Sequence, residues 1–201
     1  MRLRIALLLA IATGAAATGA GAHGTLCGPS RARTLAADRV ARVYAVDRKV
    51  YGCARGGHSR YKLGATSNSM GRDRVGPVAL AGYDVAFGRA SYGVDVVSAE
   101  VVVEYLVDGR VLRDHAATDQ YQPEGVQEVN SIVVKPDGAV AWIATDTSLG
   151  GNHKAIEARK SDHTKSTYLD SGPKVRPESL RLHGSKLTWR DGSTTKSATL
   201  R

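Results

Sequence analysis

The feature that most constrains the fold is a hairpin pattern that occurs four times along the chain. Each copy has a short apolar strand, a tight turn, and a second strand that begins with Val or Leu and soon reaches an aromatic residue. Apolar residues that alternate with a period of two between turn residues are typical of β-hairpins. The four hairpins are predicted at 43–53, 78–87, 132–142 and 180–189.

The copies are about 35 to 55 residues apart, a spacing that is typical of repeated β units. The second and third hairpins continue into two further strands, at 101–107 with 111–113 and at 155–158 with 166–169. The first and last hairpins continue into one strand each, at 61–63 and 197–200. A small twisted sheet cannot bury a face alone, so we expect successive sheets to stack through the aromatic residues of their second strands.

Helical patterns are scarce by comparison. The best candidate for a helix is residues 33–43, where Leu35, Val40 and Val43 share a face, and elsewhere long apolar stretches with a period of 3.6 residues are missing. The sequence therefore predicts an all-β domain.

One hairpin carries a more specific signal. The turn of the third copy is Pro136-Asp137-Gly138 and its second strand reaches Trp142, while Asp108-Gly109 joins two strands of the preceding unit. These motifs resemble the WD40-like, TolB-type β-propeller repeats over about residues 40–200. The resemblance implies a small or partial β-propeller of about four short antiparallel blades, and the alternative is a β-sandwich built from the same hairpins. It also implies binding of proteins or peptides, and it carries over no catalytic residue.

The N-terminus has the pattern of a secretory signal peptide. Arg2 and Arg4 precede a short apolar stretch, and Ala20-Gly21-Ala22 is a small-x-small cleavage pattern. We therefore predict three parts: a signal peptide at 1–22, an N-terminal segment at 23–40 that a disulfide ties down, and a repeat domain at 41–201. After cleavage no transmembrane segment is expected, since a membrane span needs ~20 mostly apolar residues.

The cysteine count agrees with export. The chain has two cysteines, Cys27 and Cys53, and an exported protein with an even number is expected to pair them. Closing this loop would stabilise the domain by about 3 kcal/mol in the chain-entropy model. The alternative is a metal or redox pair, which neither a Cys-x-x-Cys motif nor a nearby group of histidines supports.

Charge is distributed unevenly along the chain. The sequence has 28 Lys and Arg residues against 19 Asp and Glu, a net charge of +9. Residues 31–74 have eleven basic and three acidic side chains, residues 75–150 have four and eleven, and residues 151–201 have eleven and five. In a closed ring the two basic ends would form one positive sector, which attracts anionic partners less strongly as salt rises. The competing interpretation is a solvated, arginine-rich surface.

The sequence contains none of the common catalytic motifs, so we expect no enzymatic activity and no cofactor or metal. A glycosidase would need two carboxylates about 5–10 Å apart. The candidates for an enzymatic site are His115 with Asp114 and Asp119, His153 with Asp146, and the carboxylates Glu100, Glu104 and Glu124. Glu100 and Glu104 are expected on a solvent-facing strand surface.

The predicted function is that of a secreted, non-catalytic binding or scaffold module of the cell envelope. We expect it to bind an anionic polymer or a protein partner through polar loops at 65–77 and 115–127. Specific nucleic-acid binding is not expected, because the chain has few aromatic residues on which bases stack. The alternatives are a structural domain that completes a propeller with a second chain, and a hydrolase.

Overall fold

A computed structural model describes residues 27–67, 73–119, 125–148 and 154–201, which form β-strands and connecting turns. The predicted signal peptide lies outside these residues. The strands are β1 (Arg33–Ala37), β2 (Ala41–Val46), β3 (Lys49–Ala54), β4 (Tyr61–Ala65), β5 (Arg74–Ala81), β6 (Asp84–Tyr92), β7 (Val97–Tyr105), β8 (Arg110–Ala116), β9 (Gly125–Val134), β10 (Val140–Ser148), β11 (Lys154–Ser161), β12 (Thr167–Ser171), β13 (Arg181–His183), β14 (Lys186–Asp191) and β15 (Thr194–Thr199).

The described residues are all-β, as predicted. They contain no helix, and therefore none that is long and apolar enough to cross a membrane. The helix candidate at 33–43 forms β1 and the start of β2 instead, which pair with each other.

The predicted hairpins are present in the strand pairing. β2 pairs with β3, β5 with β6, β9 with β10 and β13 with β14, all antiparallel. In the third hairpin the N–H of Gly138 donates to the carbonyl of Lys135 at 3.0 Å, and Gly138 has a φ of 74°. Glycine adopts this left-handed conformation without the steric cost of a side chain. Local turn chemistry therefore places these strand pairs.

The predicted four-bladed β-propeller is wrong. β4 pairs with β5 in parallel at Ala65 and Arg74, and β7 pairs with β9 in parallel at Val97 and Val126. These contacts join β1 to β12 into one mixed sheet that is not closed, and β13, β14 and β15 form a separate small sheet. At the first of these contacts the N–H of Ala65 donates to the carbonyl of Asp73, the residue before β5, at 2.8 Å. The prediction that the two basic ends of the chain form one positive sector required a closed ring, and it is wrong because the sheet is not closed.

The alternative β-sandwich is not formed either, because most strands belong to the one mixed sheet. This sheet folds over so that its own strands pack against each other. Side chains from β6 to β10 form the Trp142 cluster, made of Ala86, Ala99, Val101, Val103, Ala117, Val129, Ile132, Val134, Val140, Trp142 and Ala144. Side chains from β2 to β7 form the Phe87 cluster, made of Ala41, Val43, Val50, Leu63, Val75, Val85, Phe87, Val102 and Leu106.

The small sheet packs on the opposite face of β10. There the Trp189 cluster consists of Ala139, Ala141, Ile143, Ile156, Ala158, Val175, Leu180, Leu187, Trp189 and Leu200. The indole N–H of Trp189 donates to the carboxylate of Asp170 at 2.7 Å, so this buried polar atom has a partner. β10 is consequently buried on both faces: Trp142 points to one cluster and Ile143 to the other.

The N-terminal segment is held by the predicted disulfide between Cys27 and Cys53, whose Cα atoms are 5.8 Å apart. Both residues are buried, and they pack with Ala32 and with Tyr44, which is fully buried. The bridge thereby ties the chain before β1 to β3.

We expect the double variant Cys27→Ala/Cys53→Ala to lower the free energy of unfolding by about 3 kcal/mol, because the unfolded chain regains the freedom that the closed loop removes. Urea denaturation followed by circular dichroism measures this loss. Reduction of the native protein with a thiol is the matched control and is expected to give a similar loss. A change below about 1 kcal/mol in both would contradict the assigned role of the bridge.

Candidate anion-binding site

A cleft of about 730 Å³ lies between the strands β9 and β10 and the chain that leads into the small sheet. We call it the arginine cleft. Its lining residues are Val126, Glu128, Asn130, Thr145, Thr147, Lys154, Arg176, Pro177, Glu178, Ser179, Arg181 and Arg190.

One wall of the cleft follows from strand alternation. Val126, Glu128 and Asn130 lie at every second position of β9, and Thr145 and Thr147 do the same on β10. Side chains two residues apart on a strand point to the same face. Thr145 donates to the amide oxygen of Asn130 at 2.6 Å, which fixes two polar groups of this wall relative to each other.

The opposite wall is a turn-rich segment that hydrogen bonds hold against β9 and β14. The hydroxyl of Ser131 donates to the carbonyl of Pro177 at 2.6 Å. The hydroxyl of Ser179 donates to the carbonyl of Arg176 at 2.7 Å and accepts from the N–H of Arg190 at 2.9 Å. These bonds place Arg176 and Arg190 at the cleft although the segment has little regular structure.

The electrostatics of the cleft are dominated by cations without carboxylate partners. Lys154, Arg176, Arg181 and Arg190 are all exposed, and no carboxylate of the described residues lies within 4.0 Å of their charged nitrogens. Arg181 donates only to backbone carbonyls in its own segment. Of the two carboxylates in the lining, Glu128 is already paired with Arg74 at 2.8 Å. The cleft therefore presents an excess of available positive charge.

Next to the cleft is a buried polar cluster around Asp146, which is fully buried in β10. One of its oxygens accepts from Gln127 at 3.2 Å and from Thr118 at 3.5 Å. In the same region Arg159 pairs with Glu157 at 3.0 Å and with Asp119 at 2.6 Å. These contacts tie the chain after β8 to β9, β10 and β11, and the pair with Glu157 offsets the burial of the Arg159 charge. The other oxygen of Asp146 is buried without a hydrogen-bond partner in the described chain.

The structure places His115 and Asp114 at one small cavity, which His163 also lines, but Asp119 is not among the residues of that cavity. His115 lies in β8 and stacks on Trp142, with ring centroids 5.8 Å apart, and burial lowers the pKa of its imidazole. Asp119 contacts Arg159 rather than His115, while Asp114 contacts Arg89 at 3.2 Å. His153 lies outside the described residues, so its proximity to Asp146 stays a prediction. Within the parts of the chain that the structure describes, no group of three possible ligands could hold a metal ion.

The carboxylate candidates do not form a glycosidase pair in the described chain. Glu100 is bound to Arg89 at 2.6 Å, and Glu104 lies four residues further along β7, ~13 Å away for an extended strand. Glu124 is outside the described residues. The expectation that Glu104 faces solvent is wrong: it is 7% exposed, between Val102 and Leu106 of the Phe87 cluster, and burial raises its pKa to about 7.

The predicted recognition loops are shorter than expected where they are described. β5 begins at Arg74, inside the predicted loop 65–77, and β9 begins at Gly125, inside the predicted loop 115–127. Residues 68–72 and 120–124 of these loops lie outside the described residues. Val126 and Glu128, which line the arginine cleft, follow directly after the second loop.

Sequence reasoning did not single out Arg176, Arg181 and Arg190. In the sequence they were counted only among the eleven basic residues of 151–201, because no motif surrounds them. Their convergence on one cleft depends on the turn that precedes β13.

No protein-family model matches the chain, and no curated protein matches it significantly.

The position of Glu104 predicts a pH-dependent stability. Its folded-state pKa of about 7 is above the usual 4.5, so the folded chain holds this proton more tightly than the unfolded chain. Stability from this group is full below 4.5 and is lost as pH rises through about 7. We expect Glu104→Gln to raise the free energy of unfolding by about 3 kcal/mol above that range and to change it little below it. Denaturant titrations across this pH range measure the difference.

Glu100→Gln is the matched control, because it removes a carboxylate from the same strand that is half-exposed and ion-paired. It is expected to give no gain in stability at any pH. If Glu104→Gln is instead destabilised above pH 7, the Glu104 carboxylate makes a favourable contact and the prediction is wrong.

Proposed function

We propose that this chain is a non-catalytic binding module that acts outside the cell or in the envelope and holds an anionic polymer in the arginine cleft. The observation that carries the proposal is the convergence of Lys154, Arg176, Arg181 and Arg190 around one cavity without carboxylate partners among the described residues.

The chemistry of the lining favours an anion over a neutral ligand. A guanidinium is planar and donates two parallel hydrogen bonds to a phosphate or carboxylate, so several of them around a cavity select such groups. Asn130, Thr145 and Ser179 add neutral polar groups of the kind that hydroxyls of a sugar or polyol contact. No aromatic side chain is among the described lining residues, which disfavours ligands that are held by ring stacking.

A location outside the cytoplasm is itself part of the proposal, and it is the reason for choosing an envelope polymer. The disulfide between Cys27 and Cys53 is consistent with an extracellular site, since such bonds persist in oxidising compartments. Export through the predicted signal peptide at 1–22 is part of the proposal. A protein partner with an acidic surface would use the same cations and is the alternative occupant.

We expect the protein to be retained on phosphocellulose, a polysaccharide that carries phosphate groups, and to elute as salt rises, because exposed charges are screened. The double variant Arg176→Gln/Arg190→Gln removes two cleft cations whose side chains make no ion pair in the described chain. It is expected to bind about tenfold more weakly, the loss of one to two charge-assisted contacts.

The matched control is Arg33→Gln/Arg39→Gln, which removes two exposed arginines from the chain around β1, outside the cleft. It has the same net charge as the cleft variant. Equal weakening by both pairs would mean that net charge alone holds the polymer, and retention that does not change with salt would exclude electrostatic binding.

A further inference from the structure

A cavity of about 300 Å³ lies between β8 and the turn that joins β11 to β12. We call it the His115 cavity. Its lining residues are Leu112, Arg113, Asp114, His115, His163 and Thr164, and it shares none of them with the arginine cleft. A cavity of this size is at the lower end of the range for sites that hold small molecules.

Strand pairing fixes one wall of this cavity. β8 pairs with β7 alone among the described strands, so one of its edges is unpaired. Arg113 and His115 are paired with residues of β7 that belong to the Trp142 cluster, and both therefore point to the side of that cluster. The imidazole of His115 stacks on the indole of Trp142, with ring centroids 5.8 Å apart and an angle of 12° between the planes.

Two nitrogens of this wall have no hydrogen-bond partner. The Nε of Arg113 and the Nε2 of His115 are both buried, and neither is hydrogen-bonded in the described chain. Buried polar atoms in folded proteins nearly always have a partner, so this pair has unused capacity to bind an occupant. A guanidinium can only donate, and the Nε2 of an imidazole donates when it carries the proton. The pair therefore fits a group that accepts hydrogen bonds.

The charge of the wall favours an anion as that group. No carboxylate of the described residues lies within 4.0 Å of the charged nitrogens of Arg113. Asp114 is the next residue of an extended strand, so its side chain points to the other face, where it contacts Arg89 at 3.2 Å. Burial raises the pKa of the Asp84 carboxyl by more than the nearby Arg113 lowers it, so this carboxyl is a weak partner.

The opposite wall is an exposed turn with few contacts to β8. His163 and Thr164 are both exposed. Among the described hydrogen bonds, one connects this turn to β8: Arg113 donates to the carbonyl of Asp162 at 3.3 Å. A charged oxygen is a stronger acceptor than a carbonyl, so an oxyanion that enters at the turn can replace this bond. The hydroxyl of Thr164 is a further donor at the same cavity.

We propose that the His115 cavity binds a single oxyanion group, a carboxylate or a phosphate, which Arg113 and His115 hold from β8 and Thr164 holds from the turn. The ligand is a small molecule, since the cavity has space for one such group and a short body. The inference is independent of the arginine cleft, because the two sites have no described residue in common.

The indole of Trp142 reports on this cavity, because His115 stacks on it. The chain has two tryptophans, so a proton–nitrogen NMR spectrum contains two indole signals, which the Trp189→Phe variant assigns. Titration with phosphate, and separately with acetate, is expected to shift the Trp142 signal until it saturates. The Trp189 signal is expected to stay in place, because that indole belongs to another cluster. Sodium chloride at the same ionic strength is the control for screening.

His115→Phe keeps a ring on Trp142 and removes the unpaired nitrogen. It is expected to weaken anion binding about tenfold, the loss of one charge-assisted hydrogen bond. It is also expected to raise the melting temperature by about 2–4 °C, because a buried polar atom without a partner is destabilising. A purely structural role of His115 does not produce a loss of binding together with a gain in stability.

Arg113→Gln is the second variant and is expected to weaken binding by a similar factor. Arg110→Gln is its matched control, because Arg110 is an exposed arginine of the same strand that does not line the cavity. The control is expected to change binding by less than about twofold. If His115→Phe is destabilised instead, the comparison of Arg113→Gln with Arg110→Gln decides, since Arg113 is only partly buried.

The outcomes identify the ligand and separate the two proposals. A response to acetate alone identifies a carboxylate ligand, and a response to phosphate alone identifies a phosphate ligand. The His115 site is wrong if neither anion shifts the Trp142 signal, if chloride shifts it equally, or if neither variant weakens binding. If Arg176→Gln/Arg190→Gln removes the shift, the anion acts from the arginine cleft, so the His115 site is wrong and the cleft proposal stands. A cleft variant that keeps the shift but is no longer retained on phosphocellulose supports both sites.

Discussion

The structure depends on a single strand that is buried on both faces. β10 is paired along its length with β9 and β11, and its residues alternate between two apolar clusters. Trp142 fills the space towards β6 and β7, and its indole N–H donates to the carbonyl of Ala117 at 2.8 Å. Ile143 faces the small sheet through the Trp189 cluster. Because Val140 to Ala144 are buried on both faces, the mixed sheet and the small sheet are held to the same strand.

A joint between groups of strands also creates the candidate site. The parallel contact of Val97 with Val126 lies at the arginine cleft. Only this single residue pair forms the contact, so β7 and β9 diverge beyond it. The cleft is lined by the exposed, charged side chains of Lys154, Arg176, Arg181 and Arg190. Strand pairing and charge thus place the site at the same point.

Hairpins are the part of the fold that sequence reasoning recovers, because their determinants are local. The turn of the third hairpin requires Gly138, which has a positive φ. The alternation of apolar and polar residues on either side of the turn selects the strand register. The way in which the hairpins join is not determined locally. No sequence motif marks the single residue pairs that connect β4 to β5 and β7 to β9. Glu104 shows the same limit: it follows the apolar run of Val101 to Val103, and it is buried beside the Phe87 cluster, which brings residues of β2 and β3 together with Val102 and Leu106.

The sequence by itself determined the all-β class, the hairpin positions and the cysteine pair, because turn residues, two-residue periodicity and an even cysteine count act over short distances or by simple pairing. It also determined the uneven charge, but not where the charges meet. Tertiary structure alone decided that β1 to β12 form one open mixed sheet, and that Arg176 and Arg190 line one cleft with Glu128 of β9, far from them in sequence. Those placements depend on backbone hydrogen bonds and packing between residues far apart in the chain, which no local pattern encodes.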